Sequence, residues 1–413
     1  MSTQPAVAPG NAEGRIAVVD ALRAVALFGI IVTHSEFEFL AGPDPSPTYG
    51  EVHAFDPLVS QLVAAFASGK FFSIFAFLFG LSFAIQLANA TRKGTGFSGR
   101  FAWRLTVLLL IGAVHQMFFS GDILMLYALL GLLLIPMRNV RSGMLVGVAL
   151  LLLLNVPGLL LTMLQPGPSP EQQRAAAEIG AQFQQMGQRH FEIKSQGSLG
   201  ELARINFGGA LALKGAFLLF TGRLWVTFGC FLLGMYAGRI RLFVDTEQNR
   251  RRMWRLLAVV GPVALLSTTY TLLSPTAPMG QASAFTVFMV AVQQAALSAF
   301  YLAAATLLFW RQQGRGVLGA LVPMGKMGLT TYLMQTAFGI LVFYGIGFGL
   351  MGQLGSGLAV ACGIAFFIAQ VFLARAWLAR FSLGPVEWLW RTLTYFRLQP
   401  LLRRPAAPAA LVS

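Results

Sequence analysis

Ten apolar stretches, most of them near the roughly 20 residues needed to cross a bilayer, constrain this chain more than any other feature. In hydrocarbon every backbone N–H and C=O must be satisfied internally, so only helices or a closed barrel can span. The stretches are continuous rather than alternating, which predicts an all-α, polytopic membrane protein. The expected spans lie at about 16–37, 70–89, 103–119, 122–138, 143–164, 224–240, 256–274, 284–310, 324–347 and 356–378. Mean hydropathy is +0.68. Only 11% of residues are charged, against 56% hydrophobic, and 44 glycines with 35 phenylalanines suit close helix packing with aromatic filler. No cleavable leader is expected at the polar start.

The formal net charge of +15 would suggest nucleic acid in a soluble protein. Here it reports topology, and no nucleic-acid partner is expected, because Lys and Arg gather in alternate loops. Arg92, Lys93, Arg100 and Arg104 fall in one loop, Arg138 and Arg141 in the next. Arg239, Arg241, Arg250, Arg251, Arg252 and Arg255 fall in a third, and Arg311, Arg315 and Lys326 in a fourth. The acids Glu36, Glu38, Asp44, Glu51 and Asp56 gather on the opposite side. An even number of spans with both termini cytoplasmic follows. Residues 1–14 and 398–413 read as disordered cytoplasmic tails around a single transmembrane helical domain at 15–397. That domain carries a polar outer insert at 165–204, whose Pro170–His190 stretch should be helical and could cover a site. The apolar stretch from Asn206 to Thr221 holds Lys214 and reads as re-entrant or interfacial. Pro57 to Ala67 reads as an interfacial helix leading into the second span.

Ionisable residues inside spans are functional candidates, because hydrocarbon penalises them unless they are paired or face a wet cavity. The first span carries Asp20, Arg23 and His34. At 100° per residue Arg23 and His34 differ by about 20° around the helix, so all three share one polar stripe. Asp20 and Arg23 can pair at a spacing of three. A tight turn at Ser120-Gly121-Asp122 joins two further spans and brings His115 near Asp122. The bland role of Asp122 is an N-cap, and its chemical role is to orient a histidine base. His34, His115 and Asp122 are the candidate catalytic residues, expected to converge near the outer face above a tunnel open to the cytoplasm. Asp20, Arg23, Lys70 and Gln335 are candidates for a substrate path, although Lys70 would equally snorkel to the interface. Gly384 to Arg391 reads as an interfacial elbow with Trp388 and Trp390 in the headgroup layer and Glu387 paired to Arg391. His53 and His190 read as solvent-exposed. No metal site and no disulfide framework is expected from the two cysteines, Cys230 and Cys362.

Four blocks taken in order resemble a known family. They are Arg15 to Ile30, Lys70 to Gly80, His115 with Gly121-Asp122-Ile-Leu, and Gly384-Pro385-Val-Glu387-Trp388-Leu-Trp-Arg391. Together they resemble the YeiB-like bacterial inner-membrane proteins, domain of unknown function 418. That family is similar to transmembrane acyltransferases, including the acyltransferase-3 enzymes that acylate surface glycans and the lysosomal heparan-alpha-glucosaminide N-acetyltransferase. In acyltransferase-3 proteins the first span carries Arg, ten residues, then His, and Arg23 with His34 match that spacing. YeiB-like members more often carry Asn where His34 stands, so this chain departs toward the acyltransferase-3 pattern. The resemblance implies transfer of an acyl (acetyl) group from cytoplasmic acyl-CoA to a hydroxyl or amine of a glycan or lipid acceptor. Arg100, Arg104 and Arg391 would hold the CoA phosphates. Membrane lipids are the surrounding partners and a homodimer is left open. A transporter or lipid flippase with an intramembrane proton relay is the alternative.

Overall fold

The computed structural model describes residues 16–39, 54–164, 170–274 and 283–403. The expected tail at 1–14 and residues 404–413 of the expected tail at 398–413, together with Asp44, Glu51 and His53, lie outside the described residues.

The described residues are helical almost throughout. The first helix, α1 (Ala17–His34), continues as a π-helical turn, Ser35–Phe39. A short α2 (Asp56–Phe66) turns through Gly69, at φ 81°, into α3 (Lys70–Arg92). Then come α4 (Ser98–Phe118), α5 (Leu124–Met137), α6 (Ser142–Leu153) and α7 (Val156–Leu164). The insert forms α8 (Pro170–Gln196), α9 (Leu199–Phe207) and α10 (Gly209–Phe220). The chain continues through α11 (Arg223–Arg239), α12 (Glu247–Leu273), α13 (Ala284–Arg311), α14 (Val317–Lys326) and α15 (Gly328–Phe343). It ends with α16 (Ser356–Arg380) and α17 (Pro385–Tyr395).

All ten apolar segments are helical, but only six helices among the described residues are long and apolar enough to cross a membrane. The other four segments depart from simple spans for local reasons. Fourteen residues of α5 reach about 21 Å, short of a hydrocarbon core of about 30 Å. The 143–164 segment breaks at Asn155, which takes a left-handed φ of 51°, and α11 has 17 residues. The 324–347 segment is not straight: α14 and α15 meet at Met327 with a bend of 87°, and the pair counts as a seventh span if taken together.

α1 is the axis of the bundle, with 67% of its span window buried, whereas α12 buries only 17% and presents an apolar outer face. Close approach of the central helices depends on glycine. A Cβ at Gly80 would strike the Phe231 carbonyl and one at Gly234 the Phe77 carbonyl, so α3 and α11 touch backbone to backbone. Gly325 likewise sits on the Asp20 carbonyl, which brings α14 against α1. Phe79 stacks on Phe231 at 4.7 Å beside this crossing.

The bend at Met327 exposes the first N–H groups of α15, and Glu387 satisfies them. Its carboxylate accepts from the amides of Leu329 (2.7 Å) and Thr330 (3.1 Å) and from the Thr330 hydroxyl. A carboxylate on a helix N-terminus meets both the orphan donors and the positive end of the helix dipole. Glu387 therefore serves another helix, a role that its spacing of four from Arg391 does not predict. Replacing Glu387 by Ala is expected to cost about 2–3 kcal/mol, the usual toll for losing charge-assisted bonds to buried donors. Glu387→Gln should recover part of that loss. Thermal unfolding in detergent measures both.

The elbow also packs more tightly than a headgroup anchor. Trp390 donates to the Arg104 carbonyl (2.9 Å), Trp103 to that of Leu393 (3.1 Å) and Trp388 to that of Gln399 (2.8 Å). Residues 398–403, assigned to the tail by sequence, run back along α16, where Ser382 donates to Leu401 and Arg403 to Arg380.

Candidate functional site

His115 reaches the site because α4 ends one turn beyond it. The turn Phe119–Asp122 then folds α5 back, with Asp122 as a helix cap. The Asp122 carboxylate accepts from the amides of Leu124 (3.1 Å) and Met125 (2.9 Å) and still faces His115, Nδ1 to Oδ1 at 2.7 Å. Capping and histidine contact, alternatives by sequence, are both realised. A carboxylate only accepts, so Nδ1 carries the proton and Nε2 presents its lone pair to the Thr336 hydroxyl at 2.9 Å. Both His115 and Asp122 are buried.

His34 comes to the same place from α1. Its ring lies 4.9 Å from that of Phe119 and 6.2 Å from that of Tyr332, while His115 lies 5.5 and 5.2 Å from the same two rings. The two histidines thus flank one aromatic pair. His34 Nδ1 is buried and makes no hydrogen bond among the described residues. Burying a polar nitrogen unpaired costs free energy, so an unsatisfied ring nitrogen at this spot is suited to a ligand or water.

The other path residues separate. Arg23 pairs with Asp20 within α1, as the spacing predicts, and donates to Ser82 at 2.7 Å. Gln335 is fully buried, donating to the Leu27 carbonyl (3.2 Å) and to Gln370 (3.3 Å), which in turn donates to Thr331 (3.1 Å). This amide ladder ties α15 to α1 and α16 between the Glu387 cap and Thr336. Lys70 does not snorkel: it is 4% exposed, and its ammonium donates to the Ala64 carbonyl (3.0 Å) in the last turn of α2. Arg104 stacks on Trp390 at 3.8 Å, with Arg391 and Arg23 in electrostatic range. Arg100 and Arg391 are exposed. Arg104 and Arg391 therefore meet at the α17 elbow, apart from the histidine pair.

Three participants were not anticipated. Thr336 sits one position from Gln335, but its approach to His115 spans 221 residues of sequence. Lys214 was legible as an oddity in an apolar stretch. Its ammonium contacts the Asp122 carbonyl and donates to Gln116 at 2.6 Å, fixing α10 beside the turn. Asn206 donates to the Met117 carbonyl (3.0 Å), and Gln116 donates back to Asn206 (3.3 Å), locking α9 onto α4.

The insert covers this end of the bundle. Phe191, Ile193 and Leu202 join Phe39, Phe119, Phe343 and Tyr344 in one apolar cluster, directly over the rings that flank His34. His190 is corrected from exposed to buried, at 5% exposure. Burial and the neighbouring Lys194 push its pKa down to about 4. An unfolded His190 titrates near 6.5. Between those values the undocked form binds a proton that the docked form refuses. Docking of α8 should thus be fully stable above pH 6.5 and weaken as pH falls toward 4. Amide exchange across residues 190–202 should accelerate over that window, and His190→Gln should flatten the response.

Two acids of the first polar loop are also drawn inward. Glu36 accepts from Ser60 and from Ser356 (3.0 Å), and Asp56 accepts from the Gly357 amide (2.9 Å), both at the start of α16. Among the described residues, no group of three His, Cys, Asp or Glu side chains is placed to hold a metal ion.

Residues 237–397 match the family described as "Protein of unknown function (DUF418)". The uncharacterized protein YxaH of Bacillus subtilis (strain 168) is 29% identical over 414 residues, covering 94% of this chain and 96% of the relative. The uncharacterized protein YeiB of Escherichia coli (strain K12) is 27% identical over 405 residues, covering 94% and 99%. An uncharacterized 39.9 kDa protein in the amylase 3' region of Bacillus acidopullulyticus is 26% identical over 396 residues, covering 95% and 97%. The segment that carries the elbow thus matches the DUF418 family, and the chain as a whole is similar from end to end to YeiB-like proteins.

Proposed function

We propose that this protein is a membrane acyltransferase that moves an acyl group from acyl-CoA to an acceptor hydroxyl or amine. The observation carrying this reading is the buried His115–Asp122 pair, with His34 across the same two aromatic rings. Asp122 holds the Nδ1 proton, leaving Nε2 as a base. The acceptor would displace the Thr336 hydroxyl, give its proton to Nε2 and bond through oxygen or nitrogen to the thioester carbon. The carbon–sulfur bond then breaks, and the CoA sulfur leaves with the proton returned by His115. The unpaired His34 Nδ1 supplies a second polar contact for either substrate. Arg104, Arg391 and Arg100 would take the CoA phosphates, which suits the guanidinium fork.

The same reading places both termini in the cytoplasm, counts ten spans by including the short and bent helices, and sets the protein in a bacterial inner membrane. CoA enters from the basic side and the glycan or lipid acceptor from the other. The resemblance to transmembrane acyltransferases is consistent with this arrangement, and a homodimer is compatible with it. A second reading, a transporter or lipid flippase with a proton relay, has one favourable observation: the 87° break between α14 and α15, a feature of helices that line transport sites. Purified protein given radiolabelled acetyl-CoA and candidate glycan or lipid acceptors separates the two. Histidine-dependent transfer supports the enzyme; proton-driven uptake into liposomes without transfer supports the transporter.

A further inference from the structure

The start of α12 carries a cavity of about 440 Å³ lined by Glu247, Gln248, Arg251, Arg252 and Arg255, remote in sequence from every residue of the proposed chemistry. Three arginines and one glutamate line it. Arg251 is paired with Glu247 (3.0 Å) and Arg252 is steadied by Asn249 (3.0 Å). Arg255 is exposed. The frame beneath is rigid. Asn249 is 5% exposed and donates to the carbonyls of Arg241 (3.0 Å) and Val244 (2.9 Å), while Thr246 caps the helix. The arginines are therefore presented from a fixed loop-and-helix corner.

An apolar track begins where the arginines end. At 100° per residue Arg252, Arg255, Val259, Val263 and Leu266 fall within about 80° of one another. Val259, Val263 and Leu266 are 66%, 39% and 69% exposed, and α12 is the least buried of the candidate spans. From Arg255 to Leu266 the helix rises about 16 Å, close to half of a hydrocarbon core of about 30 Å. Trp254, 63% exposed, lies at the same depth on another side of α12, where an aromatic anchor belongs at the interface.

We propose that this corner seats an anionic glycerophospholipid, its phosphate on Arg252 and Arg255 and one acyl chain along Val259, Val263 and Leu266. Charge fixes the headgroup class, since a zwitterionic lipid brings a cation that three arginines disfavour. Length fixes the tail, since the track spans one leaflet. The inference stands independently of the proposed transferase activity.

Native mass spectrometry of the full chain in detergent, titrated with phosphatidylglycerol or phosphatidylcholine, tests it. Selective retention of phosphatidylglycerol is expected. Arg252→Gln with Arg255→Gln should weaken it about 30-fold, from about fivefold per arginine at a membrane surface. Arg252→Lys with Arg255→Lys keeps the charge but loses the fork, and should fall between. Inorganic pyrophosphate, which has the phosphates without the chains, should bind far more weakly than the lipid. Equal retention of the two lipids, wild-type retention by the double Gln variant, or pyrophosphate binding as tight as phosphatidylglycerol would overturn the proposal.

Discussion

His115→Ala is expected to lower acyl transfer by at least about 100-fold, the lower end of what a positioned general base contributes. The acceptor would meet no lone pair at the position now held against Thr336 at 2.9 Å. Asp122→Asn provides the sharper test, because Asn can still cap α5 through its side-chain oxygen. It cannot hold the Nδ1 proton as a carboxylate does, so the neutral histidine is free to present the wrong tautomer. Activity should therefore drop while the thermal unfolding midpoint moves little. His115→Gln guards against a folding artefact: it retains hydrogen-bonding groups near Asp122 and Thr336 but cannot shuttle a proton. Equal loss in His115→Gln and His115→Ala, with folding intact, points to proton transfer rather than packing.

The largest effect on stability is expected at the crossing of α3 and α11. Gly234→Val places branched carbons where the Phe77 carbonyl already lies, and Gly80→Val does the same at Phe231. Backbone cannot yield as a side-chain tip does, so the helices must separate. Each change should cost at least about 3 kcal/mol, the upper end of ordinary overpacking. The double variant should cost less than twice a single one, because the first substitution already opens the shared crossing. Yield of monodisperse protein and thermal unfolding in detergent report both effects.

Much of the fold is legible because hydropathy is a local property. Each apolar segment is helical, and the insert helix appears where Pro170 to His190 predicts it, extending to Gln196. The size of the 87° bend was not legible from its own residues. Pro323, Gly325 and Gly328 flank Met327 as breakers, but the apolar run around them reads as one straight span, and the bend is stabilised by Glu387, nearly sixty positions away. The Asp20–Arg23 pair was readable because its spacing of three is a helix property. Lys70 misled because an exposed lysine and a buried one look alike in sequence, and the Ala64 carbonyl that holds it appears only once α2 folds back. His190 misled for the same reason: a polar helix with an apolar terminal face docks or remains in water according to what lies beneath it. At the candidate site, His34, His115 and Asp122 were singled out by residue type and position. Thr336, Lys214 and Tyr332 come from α10 and α15, whose register against α4 is set by packing.

The central claim is that the His115–Asp122 pair with His34 acts on an acyl thioester. Titration calorimetry of the purified full-length protein with acetyl-CoA, paired with a radiolabel assay of thioester loss, tests it most directly. The account predicts saturable acetyl-CoA binding that survives His115→Gln, with thioester turnover lost in that variant. No binding at high protein concentration, or turnover unchanged by His115→Gln, would contradict it.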